Sequence, residues 1–255
     1  MKLAENDMPF ELPLDRECNV IDFHPSGIWA IEKACGILSH PNRNGENKRV
    51  LLHSSYDFDL EKYHWVDAKG NEREFYLVHR LDSATSGLIL GVSSFNVAEK
   101  LKAAFLNRDV KKTYFAIVAY NGRPVRPIWK DFLQKNPSKG KIRVTSGKTG
   151  DSAITSVSMQ RKTPTRFGNL ALLELKPKTG RTHQLRVQCA NRKLPIIGDR
   201  TYGNFELNRK ISKATKVQRI CLHASKISFS IKVNGESIQW EAESAIPRAF
   251  ARLLH

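Results

Sequence analysis

The sequence predicts an α+β protein, rich in strands and poor in helices, and three observations carry that expectation. Short stretches dense in aliphatic, β-branched and aromatic residues recur at 27–33, 88–92, 111–119, 153–160 and 169–176. Apolar residues at helical spacing are clearest in one place, at Val97, Leu101, Ala104 and Phe105. Near the C-terminus, residues 228–233 alternate around Phe229 and Ile231, Asn234-Gly235 supplies a type I′ turn, and residues 237–241 return with Ile238 and Trp240. A chain of 255 residues can bury a sizeable core as one large domain or two small ones.

Taken in order, residues 1–26 are acidic and read as a lead-in arm. Residues 27–33 are the first expected sheet strand, followed by a turn into Gly36-Ile37-Leu38-Ser39-His40-Pro41. Residues 42–74 are polar and uneven; their aromatics, Tyr56, Phe58, Tyr63 and Trp65, fit packing under a loop or a role in holding a partner. The run at 88–92 reads as a buried strand, and Ser93-Ser94-Phe95-Asn96 offers N-cap candidates for the helix after it. Residues 111–119 are the next strand. Residues 121–151, rich in Gly, Pro and Lys, predict long surface connections with a short strand at 141–146. Two strands at 153–160 and 169–176, the hairpin, and a short helix begun by Pro247 complete the chain, with residues 27–255 expected to act as one domain.

The charge is unusual. A formal net charge of +17 points to an anionic partner. Residues 1–99 hold 10 Lys and Arg against 16 Asp and Glu, residues 100–150 hold 13 against 2, and residues 151–220 hold 15 against 4. The excess lies mid-chain, at positions such as Lys135, Lys139, Lys141 and Lys148, interleaved with apolar residues, Gly and Pro. A folded surface that meets a phosphate backbone explains this better than a merely solvated face.

Four dispersed cysteines, Cys18, Cys35, Cys189 and Cys221, form no Cys-x-x-Cys pair, so reduced thiols in a cytoplasm are the expectation. The first ten residues lack the apolar segment of a signal peptide, and no run approaches 18 apolar residues, so no membrane span is expected. Gly147-Lys148-Thr149 has the ending of a P-loop, but Ile142 stands where its first glycine belongs. The Lys-Thr-Gly triplets at 148 and 178 lack the Ser-Asp-Asn that a penicillin-binding site needs. Cys221-x-His223 is a thin zinc signal that a packed strand explains better.

The most informative stretch is His79-Arg80-Leu81-Asp82-Ser83-Ala84-Thr85-Ser86-Gly87. By residue type alone, Asp82 reads as a turn or cap residue on a tight loop before the 88–92 strand. The whole string resembles the catalytic motif of the RluA-type RNA pseudouridine synthases. Lys112-Thr113-Tyr114-Phe115-Ala116 is similar to that family's second motif, and Thr179-Gly180-Arg181-Thr182-His183-Gln184-Leu185-Arg186-Val187 to its third. Pro195-Ile196-Ile197-Gly198-Asp199 and Leu222-His223-Ala224 match further signatures. Two departures are Ala34-Cys35, where a proline and a small residue are usual, and Gln188, where histidine is usual.

The resemblance spans about residues 27 to 243 and implies a mixed, mostly antiparallel sheet flanked by helices and loops. It implies isomerisation of a uridine in structured rRNA or tRNA, for which no cofactor is expected because no net redox change or group donor is involved; a stem-loop substrate, a monomer and no metal are further expectations. Asp82 is then the catalytic carboxylate, Arg186 the guanidinium that keeps it ionised, and Tyr114 the residue at the flipped base. Arg80 would fill the space that the base vacates, or make a surface phosphate contact. His79, Lys112, Arg181 and His183 complete the expected RNA-binding set. The competing expectation is a non-catalytic RNA-binding protein on the same scaffold, yet Asp82, Tyr114 and Arg186 are all present.

Overall fold

The structure is a computed structural model that describes residues 8–43, 49–138 and 141–254. Lys139 and the side chain of Lys141, two of the basic positions noted above, lie outside the described residues. The chain divides into two compact units, Met1–Val110 with Lys226–Ser244, and Lys111–Ser225 with Ala245–His255.

The first unit contains β1 (Asn19–His24), β2 (Ile28–Lys33), β3 (Ser55–Asp57), β4 (Lys62–Val66), β5 (Glu72–Leu77), β6 (Ser86–Val92) and α1 (Phe95–Asn107). Antiparallel pairing links β1 to β2, β2 to β6, β6 to β5, β5 to β4 and β4 to β3. The apolar run predicted at 88–92 is β6, and every residue of it is buried. Its Gly91 leaves room for Phe75 of β5: a Cβ there would lie 2.1 Å from the ring. α1 follows where predicted, with Ser94 at the N-cap and Val97, Ala98, Leu101 and Ala104 buried; it ends at Arg108 in the left-handed region. These residues join Ile28, Ala30, Leu88, Leu90, Phe229 and Ile231 in one apolar cluster.

Two expectations change here. The first sheet strand is β1, inside what reads as the acidic arm; it pairs antiparallel with β2, with a register shift between Val20 and Asp22, despite the charges around it. Residues 42–74 contain β3, β4 and the start of β5, whose apolar positions are interrupted by so many charges that the period of two is hard to see.

The second unit contains β7 (Lys111–Ala119), β8 (Ile128–Ser138), β9 (Lys141–Gly147), β10 (Asp151–Thr165), β11 (Gly168–Pro177), α2 (Gln184–Asn191) and α3 (Phe205–Thr215). The strand order is β7-β11-β10-β8-β9, antiparallel throughout. The short strand expected at 141–146 is β9, but the rest of residues 121–151, expected as surface connections, supplies its long partner β8. Trp129 and Leu133 alternate with exposed Ile128, Lys130 and Phe132, a strand pattern that the surrounding Gly, Pro and Lys conceal. α3, which the sequence reading did not anticipate, is capped by the Asn204 side chain on the Leu207 N–H.

β12 (Leu222–Val233) carries the chain from the second unit into the first, where it pairs with β13 (Glu236–Glu243) across the predicted turn. Asn234 and Gly235 both have positive φ, as a type I′ turn requires. α4 (Arg248–Ala251) follows Pro247. Among the described residues no helix is long and apolar enough to cross a membrane. Cys221 and His223 are fully buried packing residues.

Candidate active site

In the first unit the loop that presents Asp82 is held by its backbone. Thr85 N–H closes a turn on the Asp82 carbonyl at 2.9 Å. Below it, the segment after β2 reaches the loop at three successive places. Ser39 Oγ donates to the Leu81 carbonyl at 2.9 Å and accepts the Leu81 N–H at 3.1 Å. Gly36 N–H donates to the Ser83 carbonyl at 2.7 Å, and the Cys35 thiol to the Ala84 carbonyl at 2.9 Å. Lys33, fully buried, places Nζ at 2.8 Å from the Ile37 carbonyl, 3.0 Å from that of Ala34 and 3.3 Å from that of Ser83. Gly36 has a φ of +93°, which a side chain would strain. The Asp82 side chain emerges from this clamp half-buried.

His79 and Arg80 flank the loop differently. His79 accepts the Leu90 N–H at Nε2, 2.9 Å away, and lays its ring on Phe105 with centroids 4.8 Å apart. That makes it a brace between the motif, β6 and α1. Arg80 is exposed, and its Nη1 lies 2.9 Å from His40 Nε2.

In the second unit the corresponding structure is built from side chains. Arg186, on α2 and 6% exposed, pairs bidentately with Asp199: Nε to Oδ2 at 2.8 Å and Nη2 to Oδ1 at 2.9 Å. Asp199 Oδ1 also accepts the N–H groups of Thr201 and Tyr202 at 2.8 and 3.0 Å. Burial pushes the Asp199 carboxyl up, but the Arg186 bonds and charge together with those two N–H groups outweigh it and hold it below the usual range. Gly198 brings this loop against the Arg219 carbonyl, where a Cβ would come within 1.9 Å. The Arg186 guanidinium lies 5.1 Å from the Tyr202 ring centroid, and the Tyr202 hydroxyl is 2.9 Å from His183 Nδ1. His183 itself has a φ of 53° at the N-cap of α2.

A buried polar chain fixes the rest of α2. Thr179 Oγ1 donates to Gln184 Oε1 at 2.8 Å, Gln184 Nε2 donates to Thr155 Oγ1 at 3.0 Å, and Thr155 Oγ1 donates to Gln188 Oε1 at 2.6 Å. Gln188 Nε2 continues to Asp131 Oδ2 at 2.8 Å. Arg181 is half-exposed, with Nε 3.3 Å from the Ser152 carbonyl and Nη1 3.8 Å from Asp151 Oδ1. Lys112 Nζ stands 3.8 Å from where a Cβ on Gly180 would be, and burial pushes its pKa below the usual lysine value. Tyr114 lies half-buried on β7, opposite Leu175.

Asp82, Arg80 and His79 therefore belong to the first unit, and Tyr114, Lys112, Arg181, His183 and Arg186 to the second. The sequence reading gave Arg186 no intramolecular carboxylate other than Asp82, whereas the structure supplies Asp199. It also left Tyr202, Lys33 and His40 without roles. Asp199 stands in a quoted motif, so its signal was present, and Tyr202 follows three positions later; Lys33 closes a strand whose first four residues are apolar.

The model of the family described as RNA pseudouridylate synthase matches residues 27–191. A "Ribosomal large subunit pseudouridine synthase C" of Rickettsia conorii is 36% identical, over 99% of this chain and 76% of its own length. A "tRNA pseudouridine synthase C" of Yersinia pestis is 30% identical, over 86% of this chain and 83% of its own. Among solved structures, human RNA Pseudouridylate Synthase Domain Containing 4 superposes with a TM-score of 0.63 at 21% identity, covering 92% of this chain and 91% of that one. That likeness bears on fold, and agrees with the mostly antiparallel α+β architecture. With the matched motifs, the α+β strand order and more than half of the chain under the family model, this chain belongs to the RNA pseudouridylate synthase family, isomerases that convert uridine to pseudouridine.

Proposed function

We propose that the chain isomerises a specific uridine in a structured rRNA or tRNA stem-loop, as a monomer in the cytoplasm and without a cofactor, with residues 27–255 working as one catalytic domain. The observation that carries this is the Asp82 loop, a single carboxylate presented on a backbone clamped at Leu81, Ser83 and Ala84. Its relatives' names include both ribosomal and transfer RNA, which supports an RNA substrate of either kind.

The reaction breaks the N1–C1′ bond of uridine, turns the uracil and rejoins it through C5, with loss of the C5 proton. Asp82 acts beside the sugar or base as nucleophile or as the group that assists removal of the base. It must be ionised, and Arg186 supplies the opposing charge; Asp199 fixes the plane of that guanidinium, which has five N–H donors, of which the two Asp199 bonds engage two. Tyr114 stacks on the displaced uracil. Extruding the base costs on the order of a few kcal/mol, part of which Arg80 offsets by entering the vacated space. His79, Lys112, Arg181 and His183 contact the RNA.

Release of tritium from RNA labelled at uracil C5 tests this reading. Wild type releases it and Asp82→Asn does not, while both bind RNA. Equal release by the two proteins would remove the mechanism, and RNA binding without release by either would favour a non-catalytic RNA-binding role.

A further inference from the structure

His40 and Arg80 are forty positions apart in sequence and meet in the first unit. Arg80 Nη1 lies 2.9 Å from His40 Nε2, and the Pro41 carbonyl lies 2.7 Å from Nδ1. A guanidinium can only donate and a carbonyl can only accept, so both contacts demand the same form of the ring: neutral, with its proton on Nδ1 and a lone pair on Nε2. The ring is fixed as well as the proton. It stacks on Tyr56 with centroids 5.3 Å apart and planes 15° apart, and Phe58 meets both rings edge-on. Tyr56 rests on Tyr63, whose hydroxyl donates to the Ser39 carbonyl at 2.8 Å. Ser39 is the residue that bonds Leu81 in both directions, so His40 stands on the framework that holds the Asp82 loop.

An exposed arginine on a flexible stem has many rotamers to lose when it enters a substrate. We propose that His40 is a positioning residue which holds the Arg80 guanidinium in place, so that this arginine meets the RNA already ordered. The inference rests on the role proposed above for Arg80, entering the space that the displaced base vacates. Packing alone would account for the stacked rings, but not for the matched donor and acceptor on the two ring nitrogens.

Protonation would cancel the device, because an imidazolium has no lone pair to offer and repels the guanidinium. The charges that act on His40 are Arg80 and Glu61; its stacking partner Tyr56 has Asp57 beside it in the chain and the same Glu61 acting on it. Burial first, and then Arg80, hold the ring's pKa below the usual histidine value against the opposing pulls of the Pro41 carbonyl and Glu61. The ring therefore stays neutral at neutral pH.

The test is a double-mutant cycle read by kcat/KM for tritium release. Arg80→Ala and His40→Ala each lower kcat/KM, the latter about tenfold, as loss of a hydrogen bond to a charged group implies. The double variant falls no further than Arg80→Ala alone. Losses that multiply would overturn the proposal, since His40 would then act independently of Arg80. His40→Gln guards against a folding artefact: its amide oxygen can still accept from Arg80, so most of the rate returns, and its KM stays level into the acid range below the usual histidine value, where that of wild type rises. Coincident pH profiles would sink the idea. The geometry is also open to a reading independent of activity, because 15N NMR of the wild-type imidazole is expected to show the proton on Nδ1; a proton on Nε2 would overturn the inference even in an active enzyme. An absence of tritium release by wild type from every RNA, with Nδ1 protonated, would instead count against the functional reading and against the role assigned to Arg80, leaving the His40–Arg80 contact standing.

Discussion

The Asp82 loop and the Arg186 helix solve one problem, holding an ionisable group still, by opposite means. Asp82 is positioned through carbonyl and N–H groups of residues 81–85, gripped by Lys33, Cys35, Gly36 and Ser39. Arg186 is positioned by its own charge, through two bonds to a carboxylate that is 1% exposed. Backbone clamps cost little to satisfy and are indifferent to which side chain the loop displays. A buried ion pair is unforgiving, because removing either half leaves the other charge desolvated.

Breaking the second arrangement is accordingly the larger perturbation. Asp199→Ala removes the bidentate carboxylate from a buried guanidinium and leaves the Thr201 and Tyr202 N–H groups without this acceptor; chemical denaturation is expected to show a loss of about 3–5 kcal/mol. Tritium release should fall with it even in the molecules that remain folded. A loss under about 1 kcal/mol would show that water reaches Arg186 and that the pair is not the anchor described here. The same pair gives a pH signature. The Asp199 pKa is lowered in the folded state, so its contribution to stability is complete above the ordinary aspartate value of about 3.9 and disappears as pH falls through the folded value below it. Wild type should therefore lose stability relative to Asp199→Asn only at strongly acid pH.

Disturbing the clamp should cost less. Lys33→Met keeps the length and volume of the side chain but withdraws Nζ from three carbonyls, one of which, on Ser83, retains the Gly36 N–H. The expected loss is about 2 kcal/mol, the scale of one or two buried acceptors left unmet. Because the Asp82 loop keeps its Ser39, Cys35 and Gly36 contacts, kcat should fall less than in Asp199→Ala. If Lys33→Met proved the more damaging variant, charge rather than backbone bonding would be what secures the loop.

The two regions also differed in how far the sequence disclosed them. β6 was legible because Leu88-Ile89-Leu90 is an unbroken apolar run bounded by Gly87, and the Asn234-Gly235 hairpin because its turn residues admit positive φ. In the β8–β9 hairpin the short strand expected at 141–146 is β9, but β8 was hidden, since Pro127, Pro137 and the lysines look like loop composition while only Trp129 and Leu133 mark its buried face. The motifs singled out the residues proposed for the site but not the contacts that hold them. Nothing in local pattern pairs Arg80 with His40, or Arg186 with Asp199, because those contacts are made by the folded backbone across forty and thirteen positions.

Gln188 sharpens the comparison at the smallest scale, since histidine is usual there in the family. The Gln184 amide donates to Thr155 Oγ1, which leaves the Thr155 proton for Gln188 Oε1, while Gln188 Nε2 serves Asp131 and the Ala153 carbonyl. A neutral imidazole can match this with one acceptor and one donor. An imidazolium cannot: it offers no acceptor to Thr155, it sits where exposure is zero, and Asp131 is already paired with Arg192 at 2.9 Å. Gln188→His should thus lie within about 1 kcal/mol of wild type at pH 8, as a near-isosteric swap between satisfied groups does. A histidine buried in its neutral form has its folded pKa lowered, so the unfolded chain binds the proton first and stability declines as pH drops through about 6.5. The Tm gap between variant and wild type should therefore widen between pH 8 and pH 5.5. A constant gap would mean that Asp131 accepts the new charge, and that the second unit tolerates a protonation change as readily as the backbone-built loop of the first.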